Sequence, residues 1–187
     1  RSRRQRQMCI RDSPDTQLAG AIEQSSSQWW QAVAEAVGTL RADGQLGADG
    51  QLPAAIALTG QMQDLVPLTG SSAGQQELPV ILYSDTRAAA ELDELRAADP
   101  GWEARLPTAP GPDCLPAKIA WLTRHQHDTQ VEALAVSAAG FLGFGLTGRL
   151  TCDRLSASTT SLYDAAADAW MLPSPLTLSL IHISEPT

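Results

Sequence analysis

Short apolar runs alternate along this chain with longer stretches of helical periodicity, and that alternation limits the fold more than any other feature. Residues 54–59 (AAIALT) form an apolar run of strand length, suited to a buried strand. Residues 65–68 (LVPL) and 80–83 (VILY) are the second and third strand candidates. Between and after them the period changes. Trp30, Val33, Val37 and Leu40 recur at helical spacing, behind a Ser25 to Gln28 segment that reads as a capping box, and Asp43 with Gly44 ends the helix. Ala88, Leu92 and Leu95 share one face of an Ala-rich helix that follows Ser84-Asp85-Thr86-Arg87 and stops at Asp99-Pro100. Residues 117–125 read as a further helix carrying Ile119, Trp121 and Leu122. The polar stretches 44–50, 60–64 and 70–77 read as loops, and 106–116, with four prolines, as irregular. Residues 131–150 are apolar but interrupted by glycines, so periodicity leaves their type open. Residues 156–163 are rich in Ser and Thr, and 164–171 are short and mixed. No internal repeat is evident. Strands alternating with helices make the class α/β.

Composition narrows the function. With 187 residues the chain suits one domain or a piece of a larger one, and 43% hydrophobic residues are enough for a core. Lys+Arg 13 against Asp+Glu 21 gives a net charge of −8, which argues against a nucleic-acid partner. No apolar run reaches the roughly 18–20 residues of a membrane span, so no membrane partner is expected. Three cysteines exclude a disulfide scaffold and suit a reducing compartment, hence a cytoplasmic location.

The charge is unevenly placed, because Arg1, Arg3, Arg4, Arg6 and Arg11 supply five of the thirteen basic residues. A basic arm or localisation signal is one reading. The other is foreign sequence: residues 3–13 resemble the in-frame translation of a sequencing adapter, and 178–187 resemble the matching adapter. Excluding such segments is required before fold reasoning. On this reading residues 1–13 and 178–187 are not native, 14–177 are the natural insert, and Cys9 and His182 carry no functional weight. Five fewer basic residues leave eight and two fewer acidic residues (Asp12, Glu185) leave nineteen, so the insert is near −11.

Several patterns suggest chemistry that their context does not support. Gly143-x-Gly145-x-x-Gly148 has the form of a dinucleotide loop, with Asp168 twenty positions on as a ribose partner. That mechanism needs a helix that starts on the glycines, and residues 149–153 do not continue as one, which favours turn or packing glycines. His125 and His127 lie two apart, on different helix faces, and read as a solvated helix end. Cys114 and Cys152 read as small structural residues. No Ser-His-Asp arrangement or phosphate loop is evident.

The informative polar residues follow the strand candidates. Asp85 is either the N-cap of the helix after it or a ligand contact at a strand's C-terminal end, where open α/β sheets bind ligands. Gln61, Met62 and Gln63 occupy the equivalent end of another strand. Amide side chains there suit a polyol, because they donate and accept hydrogen bonds without a counter-ion.

Five segments in order carry a resemblance. Glu23-Gln24 with Trp29-Trp30, residues 57–63 (ALTGQMQ), 79–91 (PVILYSDTRAAAE), 116–125 (PAKIAWLTRH), and Leu146-Thr147-Gly148 followed by Asp153, Asp164 and Trp170 resemble the N-terminal domain of the FGGY carbohydrate kinases, most closely the xylulokinases. The resemblance covers nearly all of residues 23–170. It implies an actin-like, ribonuclease-H-like ATPase fold, here incomplete, with its first strands and its second domain missing. It implies a two-domain enzyme that phosphorylates a ketose or related polyol with ATP and Mg²⁺. Within this chain Gln61, Met62 and Gln63 would contact the sugar, with Asp85 and Arg87 holding the cleft wall. No catalytic, cofactor-binding or metal residue is assigned. The catalytic Asp and the ATP domain would lie outside the chain, leaving it inactive by itself. A homodimer is one assembly open to the intact protein.

The departures from the family pattern bear on function. Gln63 stands where the family has His, and Tyr83 where it has Trp. Residues 116–118 read P-A-K for the family's A-P-K. Glycines at 140, 143 and 145 replace polar helix residues, at roughly 1 kcal/mol each in a helix interior. These changes motivate a second reading, a catalytically silent sugar-binding homologue of the same fold.

Overall fold

The computed structural model describes residues 18–46, 53–69, 78–125, 131–174, 176, 182–183 and 185–186. The expected loops at 47–50 and 70–77, together with His127, Cys9 and residues 1–13, lie outside them.

The described chain runs β1 (Glu23–Gln24), α1 (Ser26–Ala42), β2 (Met62–Leu68), β3 (Val80–Ile81), α2 (Ala89–Ala98), a 3-10 turn (Glu103–Arg105) and α3 (Leu115–His125). It continues through β4 (Ala133–Ser137), α4 (Ala138–Thr147), β5 (Thr151–Cys152), α5 (Arg154–Ser158), β6 (Tyr163–Asp164), β7 (Ala169–Trp170), β8 (His182–Ile183) and β9 (Glu185–Pro186). Five strands form a sheet in the order β1-β3-β2-β4-β8. Its pairings are antiparallel except β4 with β8, where Ala133 faces His182 and Leu134 faces Ile183. β8 therefore supplies an edge strand of this sheet, and β9 pairs in parallel with β5.

Side chains alternate across the sheet with the period of two that strands impose. Leu65, Ile81, Leu134 and Val136 join the larger core with Leu92 and Leu95 of α2 and Leu115, Ile119, Trp121 and Leu122 of α3. Val66, Val80 and Ala135 form the opposite core, against Trp29 of α1 and Phe141 and Phe144 of α4. Helices thus cover both sheet faces, the α/β class expected. Pro67 lies inside β2 yet breaks no ladder on the β3 side: Leu65 faces Ile81 in antiparallel register, so β3 begins, at Val80, past the position opposite Pro67.

The helical expectations hold with small shifts. α2 ends on Asp99, and α1 ends on Asp43. Ser25 is the N-cap of α1, but it makes no side-chain cap bond, and its hydroxyl instead meets Ser27 Oγ at 2.6 Å. The open stretch 131–150 divides into β4 and then α4. Ser137 caps α4 by accepting from the Gly140 amide at 2.9 Å.

Two expectations are corrected, one of a strand and one of a loop. Residues 54–59 form no strand: they are exposed, Ile56 by 65%, and no described strand runs beside them to pair their backbone. The strand starts instead at Met62, so much of the stretch read as a loop belongs to β2. The mixed segment 164–171 contributes β6 and β7, which pair antiparallel.

The glycines after Ala138 answer to packing. Gly145 lies under Trp30 of α1, and a Cβ added there would come within 3.1 Å of the ring atom Cη2. Gly148 ends α4 in the left-handed region at φ 69°, which glycine adopts without steric cost. Gly143 and Gly145 lie inside α4 and Gly148 ends it, so none of them stands at a helix N-terminus where a pyrophosphate could be cradled. Asp168 is bonded to Arg154 at 2.7 and 2.8 Å and to the Tyr163 hydroxyl.

Candidate sugar site

Three connections meet at one end of the sheet. Antiparallel pairing places the start of β2 beside the end of β3, since Leu65 faces Ile81. It also places Met62 opposite Ser137, where β4 gives way to α4. Gln61, Met62 and Gln63 therefore share an end with the 82–85 turn and the α4 N-terminus. The Ala138 amide meets the Gln61 carbonyl at 3.4 Å.

Met62 is 41% exposed and Tyr83 48% exposed, while Gln61 and Gln63 are half-buried. Gln63 takes a left-handed backbone, φ 64°, uncommon for a residue with a side chain. Its Nε2 donates to the Thr159 carbonyl at 2.9 Å. That bond fixes the amide group and leaves its Oε1 lone pairs and second N–H for other partners.

Asp85 and Arg87 lie behind this rim, at 0% and 2% side-chain exposure. Asp85 accepts from the amides of Ile22 at 2.6 Å and Arg87 at 3.0 Å, and from the Arg87 guanidinium. Arg87 also pairs with Glu23 at 2.5 Å and stacks over Trp121, 4.8 Å from the ring centre. Burial pulls the Arg87 guanidinium down, but the bonds to Asp85 and Glu23 outweigh it and its pKa is raised. Glu23 and Gln24 thus both anchor their turn, Gln24 by accepting from Trp29 Nε1 at 2.8 Å. Asp85 is not the helix cap, because the N-cap of α2 is Ala88. Asp85 instead closes a local turn onto the amide two residues on.

Two further buried charges support the rim, and periodicity alone did not reveal them. Asp64 and Lys118 are both 0% exposed. Asp64 Oδ1 accepts from the Tyr83 amide at 3.0 Å, and burial pushes its carboxyl up to about 7. Lys118 Nζ donates to the carbonyls of Leu82 at 2.8 Å and Tyr83 at 3.1 Å, and burial pulls its ammonium down to about 8. For Lys118 there were two sequence signals, its place in the P-A-K segment and its being the single lysine among thirteen basic residues.

Comparison with known proteins fits this arrangement. The family described as FGGY family of carbohydrate kinases, N-terminal domain, matches residues 3–183. The chain belongs to the FGGY carbohydrate kinases. A xylulose kinase of Streptomyces coelicolor is 30% identical over 164 residues, covering 84% of this chain and 32% of that protein. A xylulose kinase of Escherichia coli is 29% identical over 151 residues, covering 79% and 30%. Among solved structures, a xyloylose kinase from Brucella ovis superposes with a TM-score of 0.75 at 25% identity, over 90% of this chain and 35% of that one. The xylulose kinase from Rhodospirillum rubrum gives 0.76 at 23% identity, over 92% and 37%. The fold is thus part of the actin-like, ribonuclease-H-like ATPase architecture of sugar kinases. The chain spans about a third of the length of the curated relatives it matches.

The remaining candidates are structural or unengaged. Among the described residues, no group of three or more His, Cys, Asp and Glu side chains could hold a metal ion. Asp85 in particular is committed to Arg87. The described residues therefore do not fit a Mg²⁺ site. Cys114 and Cys152 are buried, and burial pushes their thiols up to about 11 and about 12, far from a reactive thiolate. His125 stacks on Trp121, ring centres 4.6 Å apart. Among the described residues no helix is long and apolar enough to cross a membrane.

Proposed function

We propose that the intact protein transfers a phosphoryl group from ATP, with Mg²⁺, to a ketose or related polyol of the xylulose type. This chain supplies part of its sugar-binding half. The observation that carries the reading is the sheet end where Gln61, Met62 and Gln63 gather beside Tyr83, with uncharged donors and acceptors at the surface and the charges held behind it. A polyol needs such a surface: each hydroxyl both donates and accepts, and none brings a charge to neutralise. The two curated relatives, both named xylulose kinases, favour a ketose over other polyols.

In this reading Gln61, Met62 and Gln63 contact the sugar, and the buried Asp85–Arg87 pair holds the wall. The catalytic base and the ATP-binding half belong to other segments of the intact protein, so this chain alone turns nothing over. Phosphoryl transfer by such an enzyme rests on positioning and electrostatic stabilisation, and the part argued for this chain is positioning. The intact protein is read as cytoplasmic, and residues 1–13 and 178–187 as foreign to it. The second reading, a silent sugar-binding homologue, rests on Gln63 in place of His.

The test is a titration of ¹⁵N-labelled chain with D-xylulose, followed at the amides of residues 61–63. Saturable shifts confined to this sheet end support the reading. Shifts scattered over the surface, or none at these amides, contradict it.

A further inference from the structure

The Asp64 and Lys118 side chains are costly where they are. Burying an ammonium or a carboxylate away from water is unfavourable unless hydrogen bonds compensate, and apolar replacements of similar size are often neutral or stabilising. Lys118 is the only lysine of the chain, and it is fully buried. Asp64 is fully buried too, and its Oδ2 has no hydrogen-bond partner. General stability does not explain this pair.

Backbone accounting does. β3 is two residues long, and after Ile81 its ladder stops. Leu82 still donates to the Ile22 carbonyl at 3.0 Å, and the Asp85 amide closes the turn on the Leu82 carbonyl at 3.0 Å. The Tyr83 amide and carbonyl then need partners other than the ladder. Asp64, from β2, takes the amide, and Lys118, from α3, takes the carbonyl and shares that of Leu82. Two elements thus grip the turn by its backbone and leave Tyr83 and Ser84 exposed at its tip.

We propose that Asp64 and Lys118 are positioning residues that hold the 82–85 turn, and with it Tyr83, against the sugar-contacting residues 61–63. Neither touches the ligand. The grip acts through the backbone, so it keeps Tyr83 at a fixed height over the start of β2 whatever rotamer its ring adopts. Only the identity of the ligand rests on the ketose reading above.

The test uses Lys118→Met and Asp64→Leu, which keep side-chain bulk and remove the grip. Three quantities are measured: thermal midpoint, amide hydrogen exchange at Tyr83 and at Leu134, and D-xylulose affinity. The expected result is exchange at Tyr83 faster by roughly tenfold or more, with Leu134 unchanged and the midpoint held or raised. Affinity then falls by roughly tenfold, because the binding surface is no longer preorganised. Unchanged Tyr83 exchange in folded variants overturns the proposal, as does equal loss of protection at Tyr83 and Leu134, which marks a merely structural role. Should neither variant fold, ¹⁵N-lysine labelling of the unsubstituted chain decides. It gives one side-chain signal: protection of its protons from exchange supports the grip, and exchange at the rate of a free lysine overturns it. If the parent chain shows no D-xylulose binding, the ketose reading fails, while the exchange comparison still decides the positioning role.

Discussion

Asp85 and Arg87, two positions apart, form a buried fork in which Arg87 Nε lies 3.0 Å from Oδ1 and Nη2 2.6 Å from Oδ2. The same carboxylate receives the Ile22 amide, and the same guanidinium reaches Glu23, so this fork ties β1 to the turn after β3. Removing one partner of such a pair leaves an uncompensated buried charge. Asp85→Ala is expected to cost about 3–5 kcal/mol in denaturant unfolding. The exposed Arg96–Glu103 pair is the contrast, where solvent screens the charges and Arg96→Ala is expected to cost far less than Asp85→Ala.

The buried Asp64 carboxyl sets a pH dependence. Its pKa is raised on folding, from 3.8 to about 7, so the folded state binds the extra proton between these values. The stabilising contribution is full below about pH 4 and is lost as the pH rises through about 7. Lys118, the Gln61 side chain and the Tyr83 amide are the groups that act on it, and each lowers the pKa against burial. Thermal melts across pH 4 to 7 are expected to show a declining midpoint in the parent chain. Asp64→Asn is expected to flatten that decline.

Two glycine substitutions are expected to act in opposite directions. Gly148→Ala forces a side chain into φ 69° and is expected to cost about 1 kcal/mol. Gly38 lies within α1, and a Cβ there meets nothing within 4 Å. Gly38→Ala is expected to stabilise by about 0.5–1 kcal/mol. Chemical denaturation of both variants checks the signs.

Gln63→Gly separates the two roles of its position. Glycine relieves the left-handed backbone, and losing the bond to Thr159 offsets that gain, so stability is expected to stay within about 1 kcal/mol. The proposed sugar contact of its side chain is removed. Calorimetric titration is expected to show weaker D-xylulose binding beside a nearly unchanged melt.

Much of this was legible along the chain. α2 and α3 follow from the spacing of Leu92, Leu95, Ile119 and Leu122, because a face repeated over three turns has few other uses. Residues 54–59 show the limit. Their apolar run is that of a buried strand, but a strand exists only beside a partner, and pairing is not written in local sequence. The Gly143-x-Gly145-x-x-Gly148 pattern misleads for a related reason. Trp30, more than a hundred positions earlier, lies over Gly145, and Gly148 ends a helix that the pattern expects to begin. At the site, the amide side chains of Gln61 and Gln63, which the structure places at one sheet end and whose polyol chemistry is proposed, were readable as polar groups beside a strand. The grip on Tyr83 was not, since Lys118 reaches it from a helix 35 residues away.

The central claim is that these side chains belong to a ketose-phosphorylating enzyme. ADP release by the intact protein, in the presence of ATP, Mg²⁺ and D-xylulose, tests it most directly. The account predicts release that depends on the sugar and is abolished when this chain is assayed alone. Sugar that binds the intact protein without stimulating ADP release would contradict the enzymatic reading and leave a silent binding homologue in its place.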